Sequence, residues 1–242
     1  MTRVKEKILA IVPARAGSKG IPNKNIRNFC GKPLLYYPIA VAKKSALFGR
    51  IIVDTDSEEI ANIGKNFGAE APYLRPKDLA SDNAVIIDAV LFLLKRLKED
   101  GYEPDIISLL QTTSPLREVD DILACYELLK KPGINSVVTV CESHPRFYHL
   151  ADDGRLILIN KETENIINRQ QISMGYILNG CTVYMIKTAV FLKEKKFIYD
   201  DTYGVVCPKW RSVDLDEVED WVHAEVLYKN KELIERTIKS FK

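Results

Sequence analysis

The sequence is poor in the features that staple, anchor or label many proteins. Its five cysteines (Cys30, Cys125, Cys141, Cys181, Cys207) are scattered with no CxxC pair and an odd total, which suits small buried hydrophobes in a reducing compartment rather than a disulfide framework. No apolar stretch is long enough to span a bilayer, and the run before Arg15 is too short for a signal-peptide core. The expectation is a cytoplasmic protein with no membrane partner. A formal net charge of +2 is too small to argue for nucleic acid. Neither the GxxxxGK[ST] of a Walker A loop nor the GxGxxG of a dinucleotide site is present. No Ser/His/Asp or Cys/His pairing announces a covalent nucleophile, and His144 and His149 have no metal-ligand company. Internal repeats and low-complexity tracts are absent as well.

What is present is ample material for a core, at 46% hydrophobic and 28% charged residues. The 242 residues fit one α/β domain with an appendage, or at most two small domains. Strand-type runs are expected at Ile8–Val12, Ile51–Asp54, Ile106–Leu110, Val137–Val140 and Thr182–Ile186. Amphipathic helices are expected at Leu34–Ser45, Glu58–Phe67, Val85–Lys98, Asp120–Lys130 and Glu217–Glu235. Apolar strands separated by helices predict βαβ units and a mainly parallel sheet covered on both faces. Ligands on such sheets bind beyond the carboxyl ends of the strands. Residues 146–176 break this pattern with polar stretches and short alternations (Leu156–Ile159, Ile166–Ile167), which read as a hairpin-rich excursion from the sheet.

The carboxyl-end rule selects particular loops. After Ile8–Val12 comes Pro13–Asn25, carrying Arg15, Gly17, Ser18, Lys19, Gly20, Lys24 and Asn25. Glycines let the backbone turn N–H groups inward, and cations interleaved with them are a means of holding polyphosphate. Three cations on one turn repel unless an anion or carboxylates neutralise them. Asn25 has donors and an acceptor for a base or ribose edge. After Ile106–Leu110 comes Gln111-Thr112-Thr113-Ser114-Pro115-Leu116-Arg117. Its polar groups suit a polyhydroxylated ligand, with Arg117 available for a carboxylate or a structural ion pair, while Ser114-Pro115 also fits the start of a helix.

Asp214 and Asp216 in Ser212-Val213-Asp214-Leu215-Asp216 are two residues apart, so an extended segment points both to one face. Paired oxygen ligands suit Mg²⁺ completed by phosphates and water; the competing reading is Asp216 as the cap of the helix near Glu217. Beside a polycationic loop the metal reading is favoured. Arg75, ahead of Leu79-Ala80-Ser81-Asp82, fits either a base pocket or a surface turn. Arg146, Arg169 (in Asn168-Arg169-Gln170-Gln171) and Asn179-Gly180 complete the candidates.

Taken in order, these motifs resemble the CMP–sialic acid synthetases (acylneuraminate cytidylyltransferases). The segments that carry the resemblance are Ala14–Asn25, Leu109–Arg117 and Ser212–Asp216, with Arg75…Asp82, Asn168–Gln171 and Asn179-Gly180 between them. The resemblance runs through nearly the whole chain. It implies a Rossmann-like nucleotidyltransferase fold as a single domain over 1–242, with 146–176 as a dimerisation and sugar-lid extension of a homodimer. It implies that Arg15, Lys19 and Lys24, with Gly17 and Ser18, hold the triphosphate of CTP, and that Asn25 and Arg75 contact the cytidine. By the same resemblance Gln111 and Arg169 bind an acidic nine-carbon sugar, and Thr112, Ser114, Arg117, Arg146 and Asn179 are the further candidates for contact with that substrate. Asp214 and Asp216 hold Mg²⁺, and Lys19, Arg15 and the two aspartates carry the catalysis.

Two positions depart from the family pattern. Ile86 stands where a serine or threonine is frequent, and Ile177 where a second arginine is frequent. The implied reaction joins CTP to a sialic-type 2-keto acid sugar with release of pyrophosphate. Alternatives are a pseudaminic- or legionaminic-type sugar, a 3-deoxy-octulosonate (for which the first loop is of the wrong type), or a nucleotide-binding relative without turnover.

Overall fold

The computed structural model describes residues 6–82, 84–144, 146–160, 174–178, 180 and 183–241. Its core sheet has the order β11–β6–β10–β5–β1–β4, with β9 pairing the far end of β6. The strands are β1 (Ile8–Pro13), β4 (Arg50–Asp54), β5 (Ile106–Leu110), β6 (Ser136–Ser143), β9 (Gly175–Ile177), β10 (Val183–Lys187) and β11 (Thr202–Val206). β1 runs parallel to both β4 and β5, placing Ile11 between Ile52 and Leu109. β10 runs antiparallel to β5 and β6, and β11 returns parallel to β6. The predicted α/β class and mainly parallel sheet are therefore observed.

Period-two alternation divides the strand side chains between two cores. Ile8, Ala10, Val12 and Val53 face α1 (Tyr36–Ser45) and α4 (Val119–Leu129), packing on Leu35, Ile39, Ile122 and Cys125. Leu9, Ile11, Ile52, Ile107 and Leu109 face α3 (Ile86–Glu99) and α5 (Thr188–Glu194), packing on Val90, Leu93, Leu97 and Phe191. α2 (Glu58–Asn66) is capped by the Ser57 hydroxyl, which accepts from Ile60 N at 3.3 Å. Each buried Leu, Ile or Phe contributes roughly 1.5–3 kcal/mol of apolar burial.

A third cluster joins the first loop to the C-terminal region. Ile21, Phe29, Leu34, Val213, Leu215 and Trp221 pack together. Phe29 lies on the small ladder of β2 (Asn28–Phe29) and β3 (Lys32–Pro33), and Trp221 on α6 (Val218–Lys229). This cluster draws residues 212–217 over the loop after β1.

Most expected elements match within two residues; three differences are informative. The helix expected over Glu217–Glu235 is two helices, α6 and α7 (Lys231–Ser240), broken at Asn230. The Asn230 side chain donates to the Val226 carbonyl at 2.8 Å and its backbone leaves helical geometry, the competition with the helix ladder expected of Asn. β11 escapes the strand pattern because it is an edge with mostly exposed residues around Gly204. β6 is longer than expected because Cys141–Ser143 pair with β9.

In the 146–176 span, β7 (Tyr148–Leu150) pairs with β8 (Leu156–Leu158) in a hairpin whose turn uses Gly154 at φ +84°. The expected alternation at Ile166–Ile167 lies outside the described residues. Cys125, Cys141 and Cys207 are buried, and burial pushes the Cys207 thiol up to about 12. Among the described residues, no helix is long and apolar enough to cross a membrane.

Candidate functional site

β1 and β5 are adjacent and parallel, so the loops at their carboxyl ends emerge side by side. Together with residues 75–86 and 216–217 they enclose a cavity of about 600 Å³. Of the residues singled out in the sequence, Arg15, Ser18, Lys19, Lys24, Asn25, Arg75, Gln111, Thr112 and Asp216 line it. Gly17, Ser114, Arg117, Arg146 and Asp214 do not. Arg169 and Asn179 lie outside the described residues.

The first loop is cross-braced by its own polar side chains. Asn25 Nδ2 donates to the Arg15 carbonyl at 2.8 Å, and Asn25 Oδ1 accepts from the Thr112 hydroxyl at 2.6 Å. The amide expected to read a base or ribose edge is instead a buried strut between the two loops. Lys24 is similar: its ammonium donates to the Leu215 carbonyl at 2.6 Å and lies 3.9 Å from Asp216 Oδ1. Burial pushes the Lys24 pKa down, against the pull of Asp216 and Asp214.

Gly20 is the glycine this loop requires, because a Cβ there would collide with the Asp216 carbonyl. Gly17 is exposed, and a Cβ on it would meet nothing. The close approach of backbones, not the phosphate turn itself, therefore accounts for the glycine whose role the structure explains.

Arg15 and Lys19 remain, both turned to the cavity. Arg15 Nη1 lies 2.9 Å from Asp82 Oδ1 and donates to the Ala80 carbonyl at 3.3 Å. Lys19 Nζ lies 2.9 Å from Asp82 Oδ2. The carboxylate needed to offset the clustered cations is thus Asp82, whose carboxyl the two cations hold below its usual range. The sequence contains the motif around Asp82 but offers no local signal that it meets the first loop.

Arg75 is buried rather than on a surface turn. Its Nε and Nη2 donate to Asp54 Oδ1 at 3.1 Å and Oδ2 at 2.5 Å, with only 5% and 4% of the two side chains exposed. None of these bonds uses Nη1. Asp54 ends β4, so this pair fixes the guanidinium to the sheet at the cavity wall.

Ser114 and Arg117 are buried beneath the second loop, where Arg117 Nη2 donates to the Gln111 carbonyl at 2.9 Å. Arg146 is half-buried at the start of the hairpin segment.

Residues 212–217 are held from below by the buried pair Arg211–Asp121, Nη1 to Oδ2 at 2.6 Å. Leu215 N donates to the Thr113 carbonyl at 3.0 Å. Val213 and Leu215 turn into the third core, so Asp214 and Asp216 turn away from it. Asp216 is 74% exposed and lines the main cavity. Asp214 is half-buried and lines a smaller cavity of about 430 Å³ with Trp210 and Ile177. Burial pushes its carboxyl above the usual range despite a hydrogen bond from Thr113. The cap of α6 is Glu217, in a capping box with Asp220. The helix-cap alternative for Asp216 is therefore excluded, and its carboxylate is left to the cavity.

This arrangement can bind a polyanion: cations at one end, hydroxyl and amide groups of Ser18, Gln111 and Thr113 along the wall, and a carboxylate opposite. Comparison with known proteins agrees. The family model described as cytidylyltransferase matches residues 9–233. CMP-N,N'-diacetyllegionaminic acid synthase of Legionella pneumophila is 35% identical over 227 residues, spanning 91% of this chain and 96% of that protein. Pseudaminic acid cytidylyltransferase of Campylobacter jejuni is 30% identical, spanning 92% and 97%. N-acylneuraminate cytidylyltransferase of Streptococcus agalactiae is 31% identical, spanning 90% of this chain and 52% of that protein. The fold matches CMP:2-keto-3-deoxy-manno-octonic acid synthetase complexed with CTP at a TM-score of 0.68 and 15% identity, over 93% of this chain and 100% of that one. Sequence and site together place the chain in the cytidylyltransferase family, as a nucleotidyltransferase.

Proposed function

We propose that the protein transfers a cytidylyl group from CTP to a nine-carbon 2-keto acid sugar of the sialic type, releasing pyrophosphate. The observation that carries this reading is the meeting of Arg15, Lys19 and the Asp216 carboxylate around one cavity at the carboxyl ends of β1 and β5. The sugar class is supported by relatives named for N-acylneuraminate and for a diacetylated legionaminic acid.

In this reaction the anomeric hydroxyl of the sugar attacks the α-phosphorus. An oxygen–phosphorus bond forms, the bond to the pyrophosphate oxygen breaks, and the hydroxyl proton is released. Both substrates are anionic, so the site must neutralise them before they approach. Arg15 and Lys19 hold the β- and γ-phosphates and stabilise charge on the departing pyrophosphate. Arg75, set by Asp54, borders the nucleoside end with Leu79 and Ile86. Asn25, Thr112 and Lys24 keep the loops in register, so that in-line geometry does not have to be assembled at each turnover. Gln111 faces the acceptor sugar.

The residues fit Mg²⁺. Asp214 Oδ1 is buried with no hydrogen-bond partner, Asp216 presents a second, exposed carboxylate, and both are hard oxygen donors. Asp214 and Asp216 would hold the ion. When bound, it supplies positive charge to the phosphates.

The sugar end is completed by residues 146–176 acting across a homodimer, each subunit closing its partner's pocket, as an extension of a single domain over 1–242. Leu150, Leu156, Ile157 and Ile159 on the hairpin are exposed, which suits such a contact. The scattered, unpaired cysteines suit a cytoplasmic location.

A second reading, a legionaminic- or pseudaminic-type sugar, is favoured by Ile177. It places an apolar side chain beside Asp214 and Trp210, where an acyl or methyl substituent packs better than a charged one. Pyrophosphate release in the presence of Mg²⁺, with each of four NTPs against a panel of acid sugars, tests both. Release with CTP and N-acetylneuraminate supports the first reading; release with CTP and a di-N-acylated 9-deoxy sugar alone supports the second. No release with any acid sugar overturns both.

A further inference from the structure

Asp82 follows the 3₁₀ turn Lys77–Ala80 and lies on the cavity wall opposite the first loop. A single carboxylate engages two cavity-facing cations of that loop, one oxygen 2.9 Å from Arg15 Nη1 and the other 2.9 Å from Lys19 Nζ. The side chain is 43% exposed, so a rotation about its own bonds is enough to release both contacts. Asp82 is thus the acid that bonds the two cations assigned above to the triphosphate, and among the described residues those two cations are the partners that hold its carboxylate.

We propose that Asp82 is an internal competitor for the polyphosphate seat: nucleotide binds by displacing it from Arg15 and Lys19, and it returns to them as pyrophosphate leaves. This rests on the reading that those two cations hold the triphosphate. A carboxylate and a phosphate oxygen use the same N–H donors, and the donors cannot serve both fully. While Asp82 is seated the binding-competent state is only partly populated, and the apparent dissociation constant rises by the reciprocal of that fraction. The ion pairs are solvent-exposed and individually weak, so the effect is modest, roughly two- to tenfold. Its signature is uniformity. CTP and pyrophosphate must displace the same carboxylate, so both affinities are lowered by one factor. The benefit falls on product release, because the same contact that opposes CTP also shortens the stay of pyrophosphate. Asp82 also keeps two like charges aimed into the cavity that would otherwise repel.

Isothermal calorimetry with inorganic pyrophosphate in metal-free buffer tests the competition directly, on wild type, Asp82→Asn, Asp82→Ala and Asp82→Glu. The expected result is roughly two- to tenfold tighter binding by the Asn and Ala variants, with Asp82→Glu close to wild type. Steady-state kinetics should show the KM for CTP falling by the same factor and product inhibition by pyrophosphate strengthening with it. Adding Lys19→Ala to Asp82→Asn should erase most of the gain. Binding by the Asn and Ala variants that is equal to or weaker than wild type overturns the proposal, and weaker binding would make Asp82 part of the binding surface instead. The calorimetry does not need turnover. Wild type that releases no pyrophosphate from CTP with any acid sugar would remove the cytidylyl-transfer reading, while the pyrophosphate affinities still decide the role of Asp82.

Discussion

The cavity end of the sheet and the 146–160 hairpin were built on opposite terms. At the cavity, polar side chains meet partners from distant parts of their own chain: Asn25 with Thr112, Lys24 with the Leu215 carbonyl, Arg75 with Asp54, Arg211 with Asp121. What remains exposed there is charge, namely Lys19, Asp82 and Asp216. The hairpin exposes large apolar groups beside its charged turn, with Leu150, Leu156 and Ile159 each more than 60% exposed. A region whose struts are satisfied internally can present a preorganised site from one chain. An apolar ribbon exposed to water gains by finding a second surface. One chain holds the struts of the proposed nucleotide half by itself, whereas the exposed apolar ribbon is the feature on which the homodimer proposal rests.

The comparison breaks most visibly if the struts are removed. Asp54→Ala leaves the Arg75 guanidinium buried without its counter-ion, and loss of one member of such a pair costs about 3–5 kcal/mol. Urea unfolding should register that loss; a change under about 1 kcal/mol would mean the pair is not a strut. Lys19→Ala removes charge without touching the frame, so stability should hold while pyrophosphate release falls on the order of 10²–10³-fold, with Asp216→Ala behaving alike. Near-normal turnover by either variant would remove its assigned role.

Gly20→Ala probes the seam, within the cavity end, between the first loop and residues 216–217. Its Cβ must push residues 216–217 away from the first loop, at about 1–3 kcal/mol of strain. Turnover should drop by more than the small shift in melting temperature explains; full activity would show that the close approach is incidental. Smallest in stability is the double change Leu150→Glu with Leu156→Glu. Both side chains are exposed, so folding should move by no more than about 0.5 kcal/mol. Light scattering should nevertheless show a dimer becoming a monomer, and kcat/KM for the sugar should fall while CTP binding persists. A wild type that is already monomeric would end the homodimer proposal.

Much of this was legible in the linear chain. Four of the five expected strands and the first four expected helices lie within two residues of their observed bounds because their apolar periodicity is uninterrupted, while β6 runs three residues further than expected. Arg15, Lys19 and Asp216 were identifiable as cavity residues from their loops alone. The failures have a common cause. Asn25 resembled a reader of bases because it is a donor and acceptor in a loop, yet its partner lies 87 residues away. Arg75 left two readings open, a base pocket and a surface turn, and only Asp54, 21 residues earlier at the end of a buried strand, fixes it at the cavity wall. Asp82 closed a recognised motif, but its role carried no local mark, since an acid after a turn is ordinary until the first loop is seen opposite it.

The sequence by itself determined the layered α/β sheet, since strand and helix periods are local properties of the side chains. It also determined the stock of chemistry at the strand ends, because the carboxyl-end rule follows from the parallel arrangement. Only the tertiary structure decided how that stock is divided. Lys24 is committed to a carbonyl 191 residues away, whereas Lys19, in the same loop, is exposed to the cavity. Each donor and acceptor has a limited number of bonds to make, and which ones the fold consumes depends on contacts between distant segments that no local pattern encodes.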